Sequence, residues 1–275
     1  MKTKLAICYR IYPGVSKIPA IYSDNKLKMS ELCLKSFVRA LDGIDAKIWV
    51  ILDNCGIEYS KMFEKYLSGF DYELINVNRA GNAKTFGMQI DILNSQDFSE
   101  YIYFAEDDYF YLEGAFNRTL DVLVNGVSDF ATPYNHPEFD TKDLHSYIHN
   151  SYFSNSTEWL SVASTTMSFM TTKQRLKQYH KQFLSYTKLN FDASMWFSIT
   201  KFNLWNPFKI LKLSFTSKEY LKIFLKTFYF SPLAPFGKKA LLVAPVHSLA
   251  THLDNRCLPA DVDWQIEFTK LQDGI

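Results

Sequence analysis

Three acids stand side by side at Glu106-Asp107-Asp108, directly after the apolar run Tyr101-Ile102-Tyr103-Phe104-Ala105. Adjacent carboxylates repel one another, and gathering them at one strand end costs free energy unless a divalent cation or a cationic ligand sits among them. In an open α/β sheet the carboxyl end of a strand is also where ligands bind. A solvated acidic turn opening a helix over Tyr111–Val124 would account for the same residues without any chemistry. A second candidate is Arg79-Ala80-Gly81-Asn82-Ala83-Lys84, which opens a helix after another apolar run. Free backbone N–H groups at a helix start, with Arg79 and Lys84 beside them, suit a phosphate. Near the C-terminus, His247 and His252 are five residues apart. In an extended segment that spacing turns them to opposite faces, so only one of the two looks into a given site.

The elements that must position these residues alternate in the first half of the chain. Leu5–Tyr12, Ile48–Leu52, Tyr72–Val77 and Tyr101–Ala105 read as buried strands. Leu27–Leu41, Glu58–Leu67 and Asn82–Leu93 carry helical patterns between them. Strand and helix alternating at this spacing predict right-handed βαβ units and a parallel sheet. Beyond the acids the pattern changes. Phe130–Pro133 and Met167–Thr171 are candidate strands, Thr172–Phe183 is a candidate helix, and Tyr134–Ser156, with His136, His145 and His149, looks loop-rich. Between Lys201 and Lys239 eight lysines face one acid, Glu219. Lys218, Lys222 and Lys226 repeat every four residues along one helix face, as in a membrane-surface or partner-binding helix. An ordinary surface helix packed on the core is the plainer alternative.

Composition narrows the class. A chain of 275 residues that is 47% hydrophobic and 16% aromatic can bury a sizeable core and is not a disordered tail. Its net charge of +1 gives no reason to expect nucleic-acid binding. Cys8, Cys33, Cys55 and Cys257 form no C-x-x-C pair and read as buried thiols of a reducing compartment. The first apolar run ends at Arg10, too short for a signal core or a membrane span, so a cytoplasmic location is expected.

The order of these features resembles that of the GT-A glycosyltransferases, and within them the family 2 type of nucleotide-sugar enzyme. Its carriers are Asp53 at the end of the second strand, the Gly81 helix start, and the fourth strand closed by Glu106-Asp107-Asp108. The run Tyr109-Phe110-Tyr111-Leu112-Glu113-Gly114-Ala115-Phe116 then stands where the family has a "pro-gly-ala" helix opening, with Glu113 in place of the common proline. The likeness extends over roughly residues 4 to 260. It implies an α/β GT-A fold with a mostly parallel, Rossmann-like sheet flanked by helices. A single domain over 1–275 would combine a nucleotide-sugar-binding half, 1–116, with a C-terminal acceptor half, 117–275.

Carried onto this sequence, the resemblance makes Asp108 a ligand of Mn²⁺ or Mg²⁺, with His247 or His252 returning to the same ion. Glu106 or Asp107 would lean toward the ribose or a metal-bound water, and Asp53 would contact the nucleobase or ribose. Arg79 or Lys84 would stand in for the family's Arg-Asn pair, which is absent. In Asn190-Phe191-Asp192-Ala193-Ser194-Met195-Trp196, Asp192 would be the catalytic base, although the family's Glu-Asp is here Phe-Asp. A helix-capping aspartate before Ala193–Thr200 is the structural alternative. The implied activity is metal-dependent, inverting transfer of a sugar from a UDP- or GDP-sugar to a hydroxyl of a saccharide or lipid-linked saccharide, in bacterial surface polysaccharide or glycan synthesis. Peripheral contact with the inner membrane face would accompany a lipid-linked acceptor. Two other readings are a sugar-phosphate nucleotidyltransferase and a non-catalytic nucleotide- or carbohydrate-binding protein. Against the first, residues 10–26 hold one glycine, Gly14, where those enzymes have a glycine-rich loop.

Overall fold

The computed structural model describes residues 2–14, 18–145 and 149–272. In the first half β1 (Lys4–Ile11), α1 (Lys26–Ala40), β2 (Asp45–Asp53), α2 (Ile57–Leu67), β3 (Asp71–Val77), α3 (Gly81–Ser95) and β4 (Tyr101–Glu106) alternate as expected. Strands β3, β2, β1 and β4 lie side by side in that order, all parallel. Seven consecutive residues of β1 are buried, the mark of a parallel strand covered on both faces. Leu5, Ile7, Tyr9 and Ile11 pack with Phe37 and Phe63 on one side. Ala6 and Cys8 pack with Phe86 and Ile90 on the other.

The second half contributes β5 (Tyr109–Tyr111), α4 (Ala115–Val124), β6 (Phe130–Ala131), α5 (Glu138–Thr141), β7 (Ser151–Ser154), β8 (Thr157–Ser161), β9 (Phe169–Thr172), α6 (Lys173–Gln178) and α7 (His180–Tyr186). It continues with α8 (Asp192–Thr200), α9 (Pro207–Thr216), α10 (Lys218–Phe230), β10 (Leu242–Pro245), β11 (Ala250–His252) and α11 (Trp264–Gln272). The sheet runs on past β4 through β9, β6, β10, β8 and β7. Direction mixes there: β9 is antiparallel to both β4 and β6, while β10 runs parallel to β6. Sheet and core therefore continue from one half of the chain into the other.

Several sequence expectations need correction. The helix expected over Tyr111–Val124 begins at Ala115, and Tyr109–Tyr111 is instead a strand of a separate two-stranded sheet with β11. The helix expected over Thr172–Phe183 is two short helices broken at Tyr179. The segment Tyr134–Ser156, read as loop, contains α5, a short 3₁₀ turn at Asp143–His145 and β7. Its residues 146–148 lie outside the described ones. Of the four free thiols, Cys8 and Cys33 are buried, and Cys55 and Cys257 are only half-buried.

The β4–β9 seam joins the halves, and its centre is aromatic. Phe104 stacks on Phe169 with ring centroids 4.6 Å apart, and Trp196 meets Phe169 edge-on at 4.9 Å. Phe169→Ala is expected to cost about 3–5 kcal/mol by opening a cavity in this seam. Urea unfolding would show it as a lower midpoint, and a loss below 1 kcal/mol would mean that the seam does not hold the halves together.

Candidate functional site

The site lies where β1, β2 and β4 end. Backbone register places Arg10 of β1 directly opposite Glu106 of β4. The Arg10 guanidinium reaches Glu106 Oε1 at 2.5 Å and also donates to the backbone and side-chain oxygens of Asn82. The other Glu106 oxygen accepts from the Ser168 hydroxyl at 3.2 Å. From α3, the buried Gln89 amide donates to the carbonyls of Cys8 and Ala105 at 2.6 and 3.1 Å. That bridge ties β1 to β4 just below the acids.

Each remaining acid has its own cation. Lys26, the first residue of α1, reaches Asp107 Oδ2 at 2.6 Å, and both side chains are largely buried. Burial pushes the Asp107 carboxyl up to about 6 even against the attraction of Lys26. Asp108 is served from the far end of the chain. Strands β5 and β11 pair so that His252 stands opposite Tyr109, and Leu253 N–H donates to the Asp108 carbonyl at 2.8 Å. His252 Nε2 thereby lies 2.9 Å from Asp108 Oδ2. Burial alone would lower the imidazole pKa, but the charge of Asp108 outweighs it and raises the group well above its ordinary value. Burial would likewise raise Asp108, yet His252 holds it below the usual carboxylate range. His247 is exposed in the bend before β11, 3.6 Å from Asp261, and lines neither of the clefts described below.

Two clefts meet at the triplet. The smaller, about 390 Å³, is lined by Arg10, Tyr12, Lys26, Asp53 and Asp107. The larger, about 750 Å³, is lined by Tyr109, His136, Tyr186, Asp192, His252 and Cys257. Asn82, Glu106 and Asp108 belong to both walls. Asp53 is buried, and its two oxygens accept the N–H groups of Ala80 and Gly81 at 2.8 and 2.7 Å. The turn that presents those N–H groups needs left-handed backbone at Arg79 (φ 46°) and Gly81 (φ 78°). A glycine accepts that conformation without strain. Arg79 and Lys84 are exposed and line neither cleft.

Asp192 opens α8 as its first residue, and its Oδ1 accepts the N–H of Ala193 at 2.7 Å. Its side chain opens into the larger cleft, yet the surrounding walls desolvate it and raise its carboxyl above the ordinary value. A carboxylate with that basicity, facing a cleft, can accept a proton from a bound hydroxyl. In the same cleft, Cys257 sits beside His136 and His252, which lower its thiol pKa to about 6. Once the imidazole gives up its proton, Asp108 and His252 offer one carboxylate oxygen and one imidazole nitrogen side by side. That pair suits a divalent cation completed by phosphate oxygens and water. Among the described residues no three His, Cys, Asp or Glu side chains are placed to hold an ion by themselves.

Arg10, Lys26, Asn82, Tyr186, His136 and Cys257 were not singled out as site residues by sequence reasoning. Arg10 carried a signal, as the cation inside the apolar stretch Leu5–Tyr12. Lys26, at the start of a helix, carried none.

Two stability predictions arise from this geometry. Lys26→Met leaves Asp107 buried without its partner and is expected to cost about 3–5 kcal/mol in chemical unfolding. A cost under 1 kcal/mol would show that the pair is not what holds Asp107. The second concerns His145, buried in the wall of the larger cleft, where burial lowers its pKa to about 4. It is neutral when folded and takes up a proton on unfolding, so its contribution is complete above pH 6.5. That contribution falls away as pH drops toward 4, by on the order of 3 kcal/mol. His145→Gln should flatten this part of the stability–pH curve, and an unchanged slope would contradict the assignment.

No family model matches this sequence, and no curated protein matches it. Among solved structures, S. aureus TarS 1–349 in complex with UDP aligns at 12% identity and a TM-score of 0.47, over 72% of this chain and 54% of that one. A second TarS structure aligns at 12% identity and a TM-score of 0.41, over 65% of this chain and 30% of that one. The galactosyltransferase LgtC, in complex with donor and acceptor sugar analogues, aligns at 8% identity and a TM-score of 0.41, over 71% of this chain and 69% of that one. The chain thus spans about a third to just over half of the TarS chains it matches. In this chain the parallel strands run in the order β3-β2-β1-β4, and three acids close β4.

Proposed function

We propose that the protein is a metal-dependent glycosyltransferase that moves a sugar from a nucleotide-sugar donor to a hydroxyl of a saccharide acceptor. The observation that carries the proposal is the position of Asp108, in contact with His252 and common to two clefts. The two volumes lie within the usual range for small-ligand sites. In this reading the nucleotide occupies the smaller cleft at the ends of β1 and β2. The donor sugar and the acceptor meet in the larger one.

Mn²⁺ or Mg²⁺ bound at Asp108 and His252 would neutralise charge growing on the diphosphate as the glycosidic bond breaks. The chain's own residues do the rest. Glu106, fixed by Arg10 and Ser168, stands between the nucleotide cleft and the cleft in which the two sugars meet. Asn82 and Tyr186, joined by a 2.9 Å hydrogen bond, close the same edge. Asp192 takes the acceptor proton, the hydroxyl oxygen bonds to the anomeric carbon, and the nucleoside diphosphate leaves with the bonding electrons. That single displacement inverts the anomeric centre. The donor base, UDP or GDP, and a role in bacterial polysaccharide or glycan assembly belong to the same proposal.

The test is thermal unfolding with UDP, GDP and UDP-GlcNAc, each with and without Mn²⁺. Binding at a hundredfold excess over Kd raises stability by about 3 kcal/mol. Asp108→Asn is expected to remove the Mn²⁺-dependent part of the shift. Asp192→Asn should keep the shift while sugar transfer drops roughly 10²–10⁴-fold. No shift with any nucleotide, or an undiminished Mn²⁺-dependent shift in Asp108→Asn, would sink the proposal.

A further inference from the structure

Helices α9 and α10 pack on each other yet leave apolar side chains in solvent. On α9, Phe208, Leu211 and Phe215 follow at i, i+3 and i+7, with Phe208 and Phe215 85% and 83% exposed. On α10, Leu221, Leu225 and Tyr229 repeat every four residues on an exposed stripe, opposite the buried Ile223, Phe224 and Thr227. A helix apolar on its inner and outer faces needs a second covering. Contiguous exposed apolar surface is uncommon on monomeric soluble proteins and marks a docking site.

Charge says what kind of covering. The segment 201–239 carries eight lysines and one acid, a charge of +7 in a chain whose total is +1, so the rest of the chain carries −6. Lys212, Lys218 and Lys222 are exposed on the same two helices. Aromatic and leucine side chains flanked by lysines match an interfacial helix pair on anionic lipid. No helix among the described residues is long and apolar enough to cross a membrane. The surface can therefore lie on a bilayer but cannot span it through these helices.

The inner side of α10 faces the site. Tyr220 and Ile223 line the larger cleft. The Ser194 hydroxyl of α8, two residues after Asp192, donates to the Ile223 carbonyl at 2.9 Å. One helix thus separates the exposed stripe from the cleft that holds Asp192.

We propose that the α9–α10 pair docks on an anionic lipid bilayer and presents the larger cleft to an acceptor anchored in that bilayer. The second clause rests on the glycosyltransferase reading; the first stands without it.

The test is flotation of the full chain with phosphatidylcholine vesicles, with and without about 30% phosphatidylglycerol, at low and high salt. Binding to the anionic vesicles that weakens with salt is expected. Lys218→Glu with Lys222→Glu should weaken it roughly tenfold or more, and Phe208→Ser with Phe215→Ser should do the same. The nucleotide-dependent thermal shift of these variants should be unchanged, so failure of docking and failure of the nucleotide site are read separately. Absence of binding to anionic vesicles, equal binding to both compositions, or undiminished binding by either double variant would overturn the docking surface. Self-association that Phe208→Ser with Phe215→Ser abolishes, without vesicle binding, would overturn it in favour of a second copy of this chain.

Discussion

Three carboxylates in a row cannot share one small volume unless each is neutralised, and this chain neutralises them one at a time. Arg10 comes from the neighbouring strand, Lys26 from the start of α1, and His252 from the second sheet. The three partners come from three different elements, which gives each acid a separate environment. Asp107, held by Lys26, stands in the wall of the smaller cleft alone. Glu106 and Asp108 stand in the walls of both clefts. Repulsion within the triplet thus becomes division of labour, because no single counter-charge could satisfy all three.

The same constraint explains a local conflict in α1. A lysine at the first position of a helix opposes the positive end of the helix dipole. Asn25 relieves part of this by accepting the Lys28 N–H at 3.0 Å. Asp107 offsets the remainder by sitting on the lysine itself. Position 26 is poor for an isolated helix and sound only once β4 is in place. Asp53 follows related logic on the other side of the sheet. Its carboxylate holds a left-handed turn whose amides would otherwise point into solvent or a ligand.

Much of the parallel half was legible because its strands are long apolar runs and its helices have periodic faces. The position of the triplet at a strand end was equally plain, since Tyr101–Ala105 stops abruptly at three charges. Asp192 could be placed at a helix start for a local reason: an acid precedes a helix-forming run. The small sheet was not legible. Tyr109–Tyr111 is three aromatic residues long, too short to show alternation, and its partner is about 140 positions away. The identity of the facing histidine hung on that pairing, so His247 and His252 could not be told apart by spacing. The partner of Asp107 was hidden for a similar reason, since nothing local announces that Lys26 will be buried.

The Asp108–His252 contact joins residues 144 positions apart. Loop-closure entropy makes so distant a meeting a late event, after the local βαβ units have paid their own ordering cost. During synthesis, the parallel half can emerge with its sheet formed and its acids in place while the histidine that faces them has yet to be translated. The nascent chain would then own two of the three counter-charges and an incomplete second sheet. The pairing of Asp108 is thus completed only once residue 252 has been made, well after the three acids themselves.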